Sequence, residues 1–141
     1  MQSIPLDIFK DCRIVVIDDE GDSLEVAEII LLEYGASLFT ALNGKEGLEL
    51  IREVMPDFVI SDISMPVMDG WGLINAMKKD EELTLIPVIA LTAHAMKGDR
   101  ERTLSAGFHS YLTKPLLVDT FIDDLVGVLS EIPAFSKRLN V

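Results

Sequence analysis

Residues 13–19 read Arg-Ile-Val-Val-Ile-Asp-Asp, four consecutive β-branched apolar side chains that stop at two carboxylates. A run that is apolar at every position, instead of every second one, suits the middle of a parallel sheet covered on both faces. Four more short runs repeat the theme: Ser37-Leu38-Phe39-Thr40-Ala41, Phe58-Val59-Ile60-Ser61, Val88-Ile89-Ala90-Leu91 and the weaker Ser110-Tyr111-Leu112. Between them, helical periodicity covers residues 23–34, 45–54, 70–79, 96–105 and 118–129. Gly35 and Gly107 stand where the first and fourth helices should stop, and Asp22 or Ser23 can cap the first. Five successive βα units predict an α/β fold, a doubly wound parallel sheet with right-handed crossovers. We expect one domain over residues 11–132 and a short tail, 133–141, too small for a folded output domain.

Composition narrows the partners. The chain has 141 residues, a length that suits a single domain. It carries 24 Asp plus Glu against 12 Lys plus Arg, a net charge of -12. Affinity for nucleic acid comes largely from neutralised phosphates, so this balance argues against such a partner. The single cysteine, Cys12, excludes an internal disulfide framework and reads as a small hydrophobe at a strand start. The apolar candidate at residues 27–32, broken by Glu28, is far too short for a membrane span. The first 11 residues show no secretory pattern, and a cytoplasmic location is the expectation.

Four strands end in polar residues: Asp18-Asp19, Asp62, Thr92 and Thr113-Lys114. Open α/β sheets bind ligands at the carboxyl ends of their strands, so these positions should meet in one crevice. Three carboxylates in a crevice repel one another unless a cation compensates. Mg²⁺ prefers hard oxygen ligands and is typically held by one or two carboxylates plus phosphate oxygens. An aspartate can also accept a phosphoryl group covalently. Lys114 would then neutralise charge on the phosphoryl oxygens, while the Thr92 hydroxyl bonds to one of them.

Asp18-Asp19, the stretch Val59-Ile60-Ser61-Asp62-Ile63-Ser64-Met65-Pro66-Val67-Met68-Asp69-Gly70, Leu91-Thr92-Ala93 and Lys114-Pro115 together resemble the receiver domains of two-component response regulators. The resemblance implies a flavodoxin-like five-stranded sheet of order 2-1-3-4-5 flanked by five helices. It makes Asp62 the phosphoacceptor and assigns Asp18, Asp19, Asp62 and the Ser64 backbone carbonyl to Mg²⁺. It also makes Thr92 the switch hydroxyl, Lys114 the phosphate-contacting lysine and Tyr111 the switch aromatic. Lys114-Pro115 resembles the family's cis peptide, and Ser64 and His94 occupy positions that tune dephosphorylation. The implied donor is a sensor histidine kinase or a histidine phosphotransfer protein. Output would pass to an effector protein or through self-association. Receiver domains are signalling domains that promote phosphoryl transfer to, and hydrolysis from, their own aspartate.

Other readings compete at particular residues. A magnesium-dependent phosphatase with an aspartyl nucleophile would want a second acid two residues on, where Ser64 stands. A flavin-binding domain would want a Ser/Thr/Gly-rich phosphate loop after the first strand, and none follows. A phosphorylation-independent interaction module would have no use for Asp62, Thr92 and Lys114 together. His94 and His109 read as surface or packing residues, and Trp71 as structural but close enough to report on a nearby site. In the fifth helix, Val118, Phe121, Ile122, Leu125, Val126, Val128 and Leu129 span about 160°, against about 100° for an ordinary surface helix. The first helix is wider still, with Ile29 and Leu32 off the face shared by Ala27, Ile30 and Leu31. We expect the first helix to dock the phosphodonor and the fifth to contribute a phosphorylation-dependent interface.

Overall fold

In the computed structural model, alternate residues of β1 (Arg13–Ile17) serve two different cores. Ile14 and Val16 pack on one side of the sheet, Val15 and Ile17 on the other. This is why the run is apolar at every position. The structure describes residues 4–93, 97–133 and 135. His94, the expected helix start at Met96 and most of the expected tail lie outside the described residues.

The remaining elements are α1 (Gly21–Glu33), β2 (Ser37–Ala41), α2 (Gly44–Val54), β3 (Phe58–Asp62), α3 (Gly70–Lys79), β4 (Val88–Thr92), α4 (Lys97–Ala106), β5 (Ser110–Thr113) and α5 (Phe121–Leu129). All strands are parallel, in the order β2-β1-β3-β4-β5, as the sequence led us to expect. The first core lies between the sheet and the pair α1 and α5, built on Ala27, Ile30, Leu31, Phe121 and Leu125. The second lies under α2 and α3, built on Ile51, Leu73, Ile74 and Met77. The first core also takes in Ile8, Phe9 and Phe135, all buried and all outside residues 11–132. Phe135 meets Phe58 edge-on, with centroids 5.3 Å apart.

The first and fifth helix starts differ from expectation by two residues or more. The first helix begins at Gly21, with Glu20 at the N-cap and no side-chain cap, so neither Asp22 nor Ser23 caps it. Asp18 is the cause, because its Oδ1 accepts the Glu20 N–H at 2.9 Å and starts the turn early. The fifth helix begins at Phe121, three residues later than expected, after turn residues that leave Val118 half exposed at 51%. Its wide apolar arc is largely spent on packing: Phe121, Ile122, Leu125 and Leu129 are buried, and Val126 and Val128 pack against the same core. The first helix keeps its excess, with Ile29 at 51% and Leu32 at 56% exposure. Gly35 and Gly107 do end their helices, at φ of 93° and 116°, a region open to glycine.

Candidate functional site

Parallel pairing places the carboxyl ends of β1, β3, β4 and β5 side by side, so residues far apart in sequence share one rim. Backbone bonds carry the ladder past the strand ends. Ile63 donates to the Leu91 carbonyl at 3.3 Å, and Lys114 to the Thr92 carbonyl at 2.8 Å. The chain then enters a loop pinned at both ends. Gly70 N–H reaches back to the Ile63 carbonyl at 2.8 Å, and Asp69 caps α3 through its side chain, accepting from Gly72 at 2.9 Å. A Cβ on Gly70 would lie 2.6 Å from the Asp62 carbonyl oxygen, which is why the loop can close this tightly only on glycine. Lys114 precedes Pro115 across a cis peptide bond.

The side chains converge on Lys114. Its ammonium lies 2.8 Å from Glu20 Oε1, 3.0 Å from Asp18 Oδ2 and 3.2 Å from Asp62 Oδ2. Asp18 is fully buried and Asp62 nearly so, at 5% exposure. Burial, and next the charge of Asp18, push the Asp62 carboxyl up from 3.8 to about 6, against the pull of Lys114. Burial alone would lower the Lys114 pKa, yet its bonds to Glu20 and Asp18 and the charges of Asp18 and Asp62 hold it above its ordinary value.

One cation among three acids leaves the cluster short of positive charge. Asp18 Oδ2 is close to the ammonium but badly aligned, and it accepts no hydrogen bond although it is buried. Such an atom is costly to leave without a partner. Carboxylate oxygens of Asp18, Asp19, Glu20 and Asp62 lie within 4.8 Å of one another, a donor set of hard oxygens that fits a divalent cation such as Mg²⁺.

A cleft of about 250 Å³ opens over Asp62, lined also by Ser64, Trp71, Thr92, Arg102 and Lys114. Of the residues expected from sequence, Asp18, Asp19, Asp62, Ser64, Thr92 and Lys114 all stand in the cluster or its cleft. Tyr111 does not. It lines a separate, larger cavity of about 650 Å³ between α4, β5 and α5, together with His109, Asp123 and Asp124. Glu20 and Arg102 escaped the sequence reading. Glu20 could have been noticed as a third acid directly after Asp18-Asp19, whereas nothing local marks Arg102.

Comparison with known proteins identifies the family of the chain and agrees with its fold. The chain is 35% identical to the polar-differentiation response regulator DivK of Brucella anthropi over 118 residues, 84% of this chain and 96% of that protein. It superposes on the receiver domain of a signal transduction histidine kinase from Syntrophus aciditrophicus with a TM-score of 0.73 and 31% identity, covering 86% of this chain and 92% of the other. A chemotaxis response regulator of Vibrio cholerae gives a TM-score of 0.76 at 25% identity, covering 84% and 98%. The sequence model of the response regulator receiver domain matches residues 14–125, and the chain belongs to that family of two-component signalling domains.

Proposed function

We propose that Asp62 accepts a phosphoryl group from a phosphohistidine on a sensor kinase or a histidine phosphotransfer protein. The observation that carries this reading is a buried Asp62 beside a buried Asp18, both facing one lysine at the floor of an open cleft. Asp18, Asp19, Asp62 and the Ser64 carbonyl would hold Mg²⁺, which when bound supplies positive charge to the phosphoryl oxygens. A carboxylate oxygen of Asp62 attacks phosphorus as the phosphorus–nitrogen bond breaks and the electron pair leaves with the imidazole. Lys114 donates to a phosphoryl oxygen and Thr92 donates its hydroxyl to another. The water-exposed cleft mouth admits a donor side chain. It later admits the water that hydrolyses the acyl phosphate.

Ile29 and Leu32 on α1 give the donor an apolar landing site. Beside them, a second cleft of about 360 Å³ runs between α1 and the loop after β5, lined by Ser23, Val26, Pro115 and Leu116. Phosphorylation draws Thr92 inward, shifts Tyr111 and alters the face made by α4, β5 and α5. This is a population shift that requires the phosphoryl group to bind the two states differently. The unit of residues 11–132 would act in the cytoplasm, and output would come from an effector or from self-association.

Incubation with a phosphorylated histidine donor domain tests the reading. Stoichiometric transfer to this chain is expected. Steady turnover of a phosphate monoester, without a protein-bound label, would mean a phosphatase instead. Polar substitution of Ile29 or Leu32 should slow transfer from the protein donor while leaving acetyl phosphate labelling intact.

A further inference from the structure

Arg102 is placed as though for a ligand. Among the described residues lining the cleft over Asp62, only Lys114 and Arg102 are cationic. Lys114 is fully engaged by three carboxylates. Arg102 pairs with no carboxylate among the described residues, and its guanidinium carbon lies 4.2 Å from the centroid of the Trp71 ring. Both partners are held from behind. Trp71 stands in the first turn of α3 and meets the buried Phe108 edge-on at 5.8 Å. The neighbour of Arg102 on α4, Thr103, is 2% exposed and accepts the Phe108 N–H through its carbonyl. The exposed guanidinium thus rests on an aromatic face at the mouth of the cleft, with none of its five N–H donors paired to an acid among the described residues.

A cation–π contact at an exposed site is weaker than a charge-assisted hydrogen bond to a phosphoryl oxygen. The guanidinium fork also matches phosphate geometry, which a lysine cannot do. Conversion of the Asp62 carboxylate to an acyl phosphate adds about one negative charge within this cleft. Lys114 retains Asp18 and Glu20 as competitors for its donors, so a second cation has a vacancy to fill.

We infer that Arg102 is a second phosphoryl-binding residue, held on Trp71 in the resting state and transferred to a phosphoryl oxygen once Asp62 is modified. The inference rests on Asp62 being the acceptor. It couples the acceptor directly to α4, since Arg102 moves with the helix that carries it.

Trp71 is the single tryptophan of the chain, so its emission reports on the departure of Arg102. The test labels the wild type, Arg102→Gln and Arg102→Lys with acetyl phosphate and Mg²⁺. Label is read by intact mass, its half-life after donor removal by the same means, and Trp71 emission in parallel. Wild-type emission should change in proportion to label, and that label-dependent change should vanish in Arg102→Gln. The adduct half-life should fall about tenfold in Arg102→Gln, with partial recovery in Arg102→Lys. Arg102 is exposed, so both variants should fold; near-ultraviolet circular dichroism checks this. Wild-type half-life and an unchanged emission response in a labelled Arg102→Gln would overturn the inference while leaving Asp62 as acceptor. Absence of label at Asp62 in the wild type would overturn the reading of the site itself, and the inference with it.

Discussion

Lys114 Nζ lies closer to Glu20 Oε1, at 2.8 Å, than to Asp62 Oδ2, at 3.2 Å. The lysine that should serve the phosphoryl group is therefore shared with an acid outside the expected acceptor and metal set. Glu20 is 62% exposed at its side chain, so the pair is a modest one, of about 0.5–1 kcal/mol. Removing the competitor frees a donor for the phosphoryl group. Glu20→Gln should lengthen the half-life of the adduct about two- to fivefold at saturating Mg²⁺. A decay time course after removal of acetyl phosphate measures this. A change confined to Mg²⁺ affinity would assign Glu20 to the metal instead.

Lys114→Met removes the cation that Asp18, Glu20 and Asp62 share. The loss leaves buried carboxylates facing one another, an arrangement that costs roughly 3 kcal/mol when both stay ionised. Protonation of Asp62 relieves it. The variant should therefore unfold more easily than wild type at pH 8 and much less so at pH 5. Urea denaturation at the two values, with and without Mg²⁺, checks the prediction, and Mg²⁺ should restore part of the stability at pH 8.

The Asp62 carboxyl, pushed up to about 6 by burial and by Asp18, makes a signed prediction. Its pKa in the fold exceeds the value of 3.8 for the free group, so the fold binds its proton more tightly than the unfolded chain does. Stability from this group is complete below about pH 4 and is lost as pH rises through about 6. In metal-free buffer the loss should approach about 3 kcal/mol. Asp62→Asn cannot ionise, so it should be more stable than wild type at pH 8 and equal to it near pH 4. Subtracting the two thermal profiles across pH isolates this group from the other acids. For the same reason, labelling at limiting Mg²⁺ should slow as pH falls through 6.

The loop after Asp62 stores strain at one residue. Met68 N–H donates to the Pro66 carbonyl at 2.7 Å across Val67, whose φ is 68°, a tight turn unfavourable for a β-branched side chain. Val67 is 78% exposed, so its side chain contributes little packing. Val67→Asn should raise the melting temperature by about 2–4 °C. Gly70→Ala should do the reverse by about 1–3 kcal/mol, because its Cβ would meet the backbone of Asp62 and Ile63. It should also slow labelling, since those atoms carry the acceptor. Differential scanning calorimetry of both variants tests the pair.

The positions of β1, β3 and β4 were legible because burial on both faces forces a continuous apolar run, and each such run proved a strand extending at most one residue further. Helix starts were less legible. At α1 the side chain that shapes the start is Asp18, and its bond to Glu20 depends on how the strand delivers it. The excess apolar arc of α5 could be read in two ways, and only packing against the α1 core decides that most of it is internal. The acids and Lys114 were visible through the strand-end rule. Glu20 looks like any acid near a helix start until Lys114, 94 residues later, is folded beside it. Arg102 lies in a polar helix with no local mark, and its meaning comes from Trp71 across the cleft.

The most direct test of the central claim is intact-mass measurement after incubation with acetyl phosphate and Mg²⁺. One phosphoryl adduct per chain is expected, stable in acid, labile in base, and absent from Asp62→Asn and after chelation. An adduct that survives in Asp62→Asn, or no adduct on a folded protein that binds Mg²⁺, would contradict the account.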